Sequence, residues 1–215
     1  MRSPIAVEGW PFIAAFAGIA LAGEIVCPSR FGSLLLWLLT GWCIWFFRDP
    51  ERYTPQGTGL VIAPADGRVI AIEEVLAAPL SGQPARKCSI FMNVFSVHVN
   101  RCPVGGQVTE VAYHPGRFFN AALDKASLEN ERMAILVTTA DGTPLTFVQV
   151  AGLIARRIIC RLQPGQTVTQ GDRFGLIRFG SRVDLYLPLS ARIAVGLGEQ
   201  TRAGETIMAH LETAA

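Results

Sequence analysis

Close to the C-terminal end a glycine is followed at once by a serine, in Arg178-Phe179-Gly180-Ser181-Arg182-Val183-Asp184. A serine oxygen can attack the preceding carbonyl when that carbonyl belongs to glycine, which puts no side chain in the way and tolerates strained dihedrals. The ester so formed can open by β-elimination, and the dehydroalanine left behind hydrolyses to a pyruvoyl group at a new N-terminus. The chain would then have made a ketone electrophile out of its own backbone. The same dipeptide occurs at Gly32-Ser33 inside an apolar segment, and a bare Gly-Ser is far more often structural than reactive, so context must decide. An alcohol also needs a base at neutral pH. Only His98, His114 and His210 are available. His98 lies between valines in an alternating run, which aims its ring at one face of a strand. His114, in Tyr-His-Pro-Gly, reads as a turn residue and His210 as a surface residue. On residues alone, a lone histidine in such a run is more often structural than catalytic.

The order of the surrounding motifs shifts that balance. Phe46-Phe47-Arg48-Asp49-Pro50-Glu51-Arg52 is followed by Pro64-Ala65-Asp66-Gly67 and by Phe95-Ser96-Val97-His98-Val99-Asn100-Arg101. Then come Tyr113-His114-Pro115-Gly116, Asn120-Ala121, Asp124-Lys125, Asn130-Glu131-Arg132, Gln149-Val150-Ala151-Gly152 with Ala155-Arg156, and finally Phe179–Asp184. This series resembles the phosphatidylserine decarboxylase family in its short bacterial and archaeal form, from about residue 46 to the C-terminus. The Leu-Gly-Ser-Thr cleavage sequence of the long form is absent, and Phe95 stands where the long form has a second histidine.

The resemblance implies self-cleavage between Gly180 and Ser181 into a β chain (1–180) and an α chain (181–215) that stay together. It implies a covalent pyruvoyl group derived from Ser181 as the cofactor, with neither pyridoxal phosphate nor a metal. It places the catalytic histidine at His98 and its acidic partner at Asp66, giving a unit Asp66–His98–Ser181 that resembles a serine-protease triad acting once on its own chain. The pyruvoyl ketone would form a Schiff base with the amine of phosphatidylserine and draw off electrons as CO₂ leaves, yielding phosphatidylethanolamine. Arg101, Arg117, Arg156 and Arg157 are candidates to grip phosphate or carboxylate, or else form a solvated face.

Composition agrees. Of 215 residues half are hydrophobic and 17% charged, and a formal charge of +2 is too small to suggest a nucleic-acid partner. A pyridoxal enzyme would need a lysine for its cofactor, and the only lysines, Lys87 and Lys125, stand in no recognisable setting for one. The five cysteines are odd in number and widely spaced, with no Cys-x-x-Cys, and read as reduced thiols of a cytosol-facing protein.

These residues need a scaffold, and the sequence describes one in two parts. Residues 1–50 contain two uncharged stretches, Trp10–Gly23 and Phe31–Phe47, on either side of a short polar interruption. They read as a hydrophobic helical hairpin that either spans the cell membrane thinly or dips into it, with Arg2, Arg48 and Arg52 on the cytoplasmic side. Export is the rival reading, with Ala20-Leu21-Ala22 as a cleavage site or Cys27 as a lipidated residue. It fits poorly, because a second apolar segment follows and Val26 is not the small residue a lipoprotein signal wants.

Residues 51–215 change to short alternating runs: 61–63, 69–72, 88–92 and 134–137 read as strands, with one helix around 120–132. Gly165, Gly171, Asp172 and Phe174 recur 33 residues later as Gly198, Gly204, Glu205 and Ile207. That repeat resembles the turn signature of lipoyl- and biotinyl-type hairpins. The fold class expected is α+β, predominantly β: a compact sandwich- or barrel-like body with glycine-rich hairpins behind the helical hairpin. A membrane-anchored adaptor or carrier module of that build is the non-enzymatic alternative, although neither repeat copy offers a lysine to carry a group.

Overall fold

The computed structural model describes residues 3–26, 30–119, 121, 129–152, 157–178 and 180–212. The chain divides into two compact units, Met1–Glu51 and Arg52–Ala215.

The first unit is a pair of apolar helices, α1 (Trp10–Val26) and α2 (Arg30–Phe46), with a single 3₁₀ turn at Val7–Gly9 leading into α1. Val7–Val26 is 20 residues long with mean hydropathy 1.6, long and apolar enough to cross a bilayer by length and composition. At 1.5 Å per residue it would cover about 30 Å, the thickness of a hydrocarbon core. Ile19, Leu21, Ile25, Phe31, Leu34, Leu35, Leu38 and Trp45 point outward and are exposed, the reverse of a soluble helix pair. The acid within α1, Glu24, is exposed and accepts a hydrogen bond from Trp37 Nε1 of α2 at 2.9 Å, which links the two helices. The open ends are clasped by Ala6 N–H to Phe47 O (2.8 Å) and Asp49 N–H to Pro4 O (2.7 Å), which brings both ends of the pair to one side. Phe47 stacks on Phe12 and meets Phe46 edge-on, with ring centroids 5.5 and 5.0 Å apart.

The second unit is built of β1 (Leu60–Ile62), β2 (Gly67–Val75), β3 (Ala85–Met92), β4 (Val99–Arg101), β5 (Gly106–His114), β6 (Arg132–Thr138) and β7 (Pro144–Ala151). It continues with β8 (Ile158–Cys160), β9 (Thr167–Val168), β10 (Arg173–Ile177), β11 (Ser181–Pro188), β12 (Arg192–Ile193), β13 (Gln200–Thr201) and β14 (Ile207–His210). An eight-stranded antiparallel sheet, β13-β2-β3-β11-β7-β6-β5-β9, curls into a half-barrel, accompanied by two three-stranded sheets, β1-β14-β12 and β4-β10-β8. The four strands read from alternation are all present. The helix read over 120–132 falls mostly outside the described residues; at its end Glu129 is helical, Asn130 bridges to Arg117 and Arg132 opens β6.

The glycine repeat is a repeat of structure. Gly165, Gly171, Gly198 and Gly204 all adopt φ between 82° and 86°, left-handed backbone that favours glycine. Gly165 and Gly198 donate equivalent hydrogen bonds to Val108 O and Val69 O, both 2.8 Å, and Gly171 and Gly204 to Cys102 O and Ala63 O, both 2.9 Å. The repeat therefore reaches back into β1–β2 and β4–β5, where Ala63-Pro64-x-x-Gly67-x-Val69 matches Cys102-Pro103-x-x-Gly106-x-Val108. Reciprocal bonds, Ile62 N–H to Pro103 O and Arg101 N–H to Pro64 O, tie the two copies together.

β11 runs through the centre of the large sheet. It pairs with β3 over its whole length and with β7 from Ser181 to Tyr186. On one face Val183, Leu185 and Leu187 join Ile90, Met92, Phe147 and Ala151 in the main core. Each such burial is worth about 1.5–3 kcal/mol, so the strand's register is strongly fixed.

Candidate active site

The Gly180-Ser181 pair sits where the chain passes from β10 in the three-stranded sheet β4-β10-β8 to β11 in the eight-stranded sheet. Gly180 has φ +68°, a conformation that L side chains rarely adopt. Its carbonyl lies against the backbone of Gly152: a Cβ placed there would be 2.0 Å from Gly180 O. The missing side chain of Gly152 is thus what lets this carbonyl occupy its place. Ser181, fully buried, is held between Met92 on β3 and Ala151 on β7. Its hydroxyl donates to the thioether of Met92, Oγ to Sδ 3.4 Å. A thioether is a weak acceptor, so the nucleophile is held loosely.

His98 immediately precedes β4 and Asn100 lies within it. Both are fully buried. Asn100 Nδ2 reaches the same sulfur as Ser181, at 3.8 Å, while its Oδ1 accepts from Gln149 Nε2 at 2.8 Å. The His98 ring nitrogen Nδ1 lies 3.0 Å from Ser96 O, and the His98 carbonyl accepts from Ile177 N–H at 3.4 Å, just upstream of the Gly-Ser pair. The Ser181 hydroxyl is bonded to the Met92 sulfur, not to the imidazole.

Asp66 stands elsewhere in the same body. Its Oδ2 pairs with Arg52 Nη2 at 2.8 Å and its Oδ1 accepts from Ala203 N–H at 2.7 Å. Arg52 also approaches Glu205 at 3.4 Å. Arg68 pairs with Phe91, and Ser181 with Met92, so one strand separates Asp66's turn from Ser181. Two strand spacings make that about 10 Å. The structure therefore brings Ser181 and Asn100 together on the Met92 sulfur, and holds Asp66 in an ion pair with Arg52 on the far side of β3 from Ser181.

Phe119 and Ala121 are tied to the strands around Ser181 by Asn130 and Arg182. Asn130, fully buried, accepts from Phe119 N–H (2.9 Å) and donates to Phe119 O (2.8 Å) and Ala151 O (2.7 Å). Arg182 donates through Nη1 to Ala121 O at 3.0 Å and forms a two-pronged pair with Asp184, Nε–Oδ1 2.8 Å and Nη2–Oδ2 3.1 Å. Both partners are buried, on the face of β11 opposite Ser181. Next along that face, burial first and the Asp184 charge second push the Tyr186 phenol above its ordinary pKa.

Among the candidate anion-binding residues, Arg101 is buried, with Nη1 donating to Gly171 O at 3.1 Å between the two repeat copies. Arg117 is exposed on the segment that Asn130 ties to the site, its guanidinium 5.9 Å from the Phe119 ring centre. Arg157 is exposed and its carbonyl accepts from Arg178 N–H at 3.4 Å; Arg156 lies outside the described residues. Met92, Arg182 and Asp184 carry no signal that would mark them in advance: a strand methionine looks like core, and an Arg-x-Asp spacing like a solvated strand face. No three His, Cys, Asp or Glu side chains converge into a metal-binding group among the described residues.

A left-handed glycine whose carbonyl is lodged on Gly152, with a buried serine next in the chain, is the arrangement a self-processing protein needs. The chain belongs to the phosphatidylserine decarboxylase family, whose model matches residues 39–209. It is 54% identical over 208 residues to the phosphatidylserine decarboxylase proenzyme of Magnetococcus marinus, covering 97% of this chain and 95% of that one. The proenzymes of the same name from Paramagnetospirillum magneticum and Burkholderia multivorans are 52% identical over 214 residues (98% and 88% covered) and 51% over 208 (97% and 96%).

Proposed function

We propose that this chain cuts itself between Gly180 and Ser181 and then decarboxylates phosphatidylserine to phosphatidylethanolamine at a membrane. The observation that carries the proposal is the scissile carbonyl itself, left-handed at φ +68° and lodged on Gly152, with a buried serine hydroxyl next in the chain. In this reading Ser181 Oγ attacks Gly180 C=O and His98 takes its proton. Asp66, fixed by Arg52 and the Ala203 amide, supplies negative charge that favours the imidazolium. A base of this kind is worth about 10²–10⁴ in rate.

The surroundings of Ser181 suit a ketone. The contacts of its hydroxyl are neutral, Asn100 offers an amide donor nearby, and Lys87, which would capture a ketone, is paired with Glu73 five residues along β3 from Met92. Five residues of strand put it about 17 Å away. The pyruvoyl group made from Ser181 supplies an electron sink for the departing carboxylate. His98, relieved of the serine proton, is placed to return a proton to the substrate carbon. Arg117 and Arg157 are the exposed cations on segments meeting at the site and are the proposed contacts for the head-group phosphate. The helix pair holds the protein at the cytoplasmic face of the cell membrane, where its substrate lies.

The test is a time course of chain splitting in His98→Ala and Asp66→Asn variants, with CO₂ release from phosphatidylserine vesicles measured on the same samples. Slow splitting in both, with loss of CO₂ release, is the expected result. Splitting at the unmodified rate without His98 removes it as the base.

A further inference from the structure

Two donors, Ser181 Oγ and Asn100 Nδ2, converge on one weak acceptor, the Met92 sulfur, at 3.4 and 3.8 Å. All three residues are fully buried. The direction of the Asn100 amide is not ambiguous: its oxygen accepts from Gln149 Nε2 at 2.8 Å, and that nitrogen also points at Ile159 O, 3.5 Å away. The Asn100 NH₂ group therefore faces Met92 and Ser181. In the uncut chain this donor is under-used, since sulfur accepts weakly and a serine hydroxyl competes for it.

We infer that Asn100 polarises the ketone that replaces Ser181, turning its N–H from the Met92 sulfur to the ketone oxygen, and that Gln149 is the positioning residue that keeps the amide turned that way. This rests on the reading that Ser181 becomes a pyruvoyl group. The conversion removes a donor and installs an acceptor at the same buried position. A buried carbonyl without a donor is unfavourable, and Met92 has none to give. Donation from Asn100 satisfies the ketone and draws electron density from its carbon, raising its reactivity toward an amine. No group needs to enter the site: the same amide serves the precursor through sulfur and the mature protein through oxygen.

The experiment uses full-length protein labelled with 2-¹³C-serine, so that isotope-edited infrared spectra isolate the ketone C=O stretch. Intact mass records splitting on the same sample. The expected result is a wild-type stretch below that of a model pyruvamide in apolar solvent, a higher frequency in Asn100→Leu and Gln149→Leu, and oxime formation with hydroxylamine slowed about tenfold or more. Gln149→Glu, whose carboxylate accepts where the amide donates, should draw the Asn100 NH₂ to itself and lose the shift as the leucine variants do. A wild-type protein that splits but shows the free-ketone frequency overturns the role of Asn100 and leaves self-cleavage standing. A wild-type protein that never splits overturns both. The wild-type spectrum decides the question even if the leucine variants do not fold.

Discussion

Replacing Gly152 by alanine is the sharpest test of how the scissile bond is held. The added methyl would lie 2.0 Å from Gly180 O and 2.9 Å from Gly180 C. An ordinary carbon–oxygen contact is about 3.3 Å, so the carbonyl must retreat by more than about 1 Å. The sheet cannot open to make room, because β7 and β11 are paired residue for residue from Ala151–Ser181 to Thr146–Tyr186. The displacement falls on Gly180, the atom group that Ser181 must attack. A misplacement of about 1 Å costs on the order of 10²-fold in rate, and that is the slowing expected for self-cleavage. The assay is pulse-labelled synthesis followed by gel or intact-mass separation of precursor and fragments. Gly196→Ala serves as the control, since nothing lies within 4 Å of its added methyl. A Gly152→Ala protein that folds, judged by circular dichroism, and splits as fast as wild type would refute the reasoning.

Three further outcomes follow from the same geometry. Gly180→Ala meets no atom within 4 Å but must hold φ +68°, so in an uncleavable Ser181→Ala background it should lower unfolding free energy by about 1–2 kcal/mol in urea titration. Arg182→Met takes the two-pronged Arg182 pair from the buried Asp184 and should cost about 3–5 kcal/mol, with much of the loss recovered in Arg182→Met/Asp184→Leu; equal stability of the single and double variants would contradict this. Burial, with Asp172 and Cys160 adding to it, raises Cys102 from 9.0 to about 12, and burial raises Cys88 to about 11. Above pH 9 the unfolded thiols ionise while the folded ones keep their protons, so stability should fall between about pH 9 and 12, by up to roughly 1.4 kcal/mol per pH unit per thiol. Cys102→Ala should flatten that slope in urea midpoints taken at pH 8 and pH 10.

Much of this architecture was legible because its signals are local. Alternation marked 61–63, 69–72, 88–92 and 134–137 as strands, and four glycines spaced six apart in two copies marked turns whose left-handed backbone only glycine takes easily. The earlier half of the repeat escaped notice because Pro-x-x-Gly-x-Val is all that β1–β2 and β4–β5 share, and their equivalence is carried by backbone hydrogen bonds. Ser181 and His98 could be singled out because nucleophile and base are rare residue types in reactive settings. The roles of their neighbours could not. Gln149 and Gly152 stand in a motif that carries the resemblance and Met92 reads as core, yet all three act through a sulfur, an amide and an absent methyl that matter only once β3, β7 and β11 are side by side. Asp66 shows the same limit: its turn is local, but the Arg52 and Ala203 groups that hold its carboxylate come from 14 and 137 residues away.

Self-cleavage is the claim on which the rest depends, and the intact mass of the purified, denatured protein tests it most directly. Two chains are expected, residues 1–180 and 181–215, the smaller blocked at its N-terminus by a carbonyl that borohydride reduces. A single species of 23.3 kDa with an unmodified serine at position 181 would contradict it.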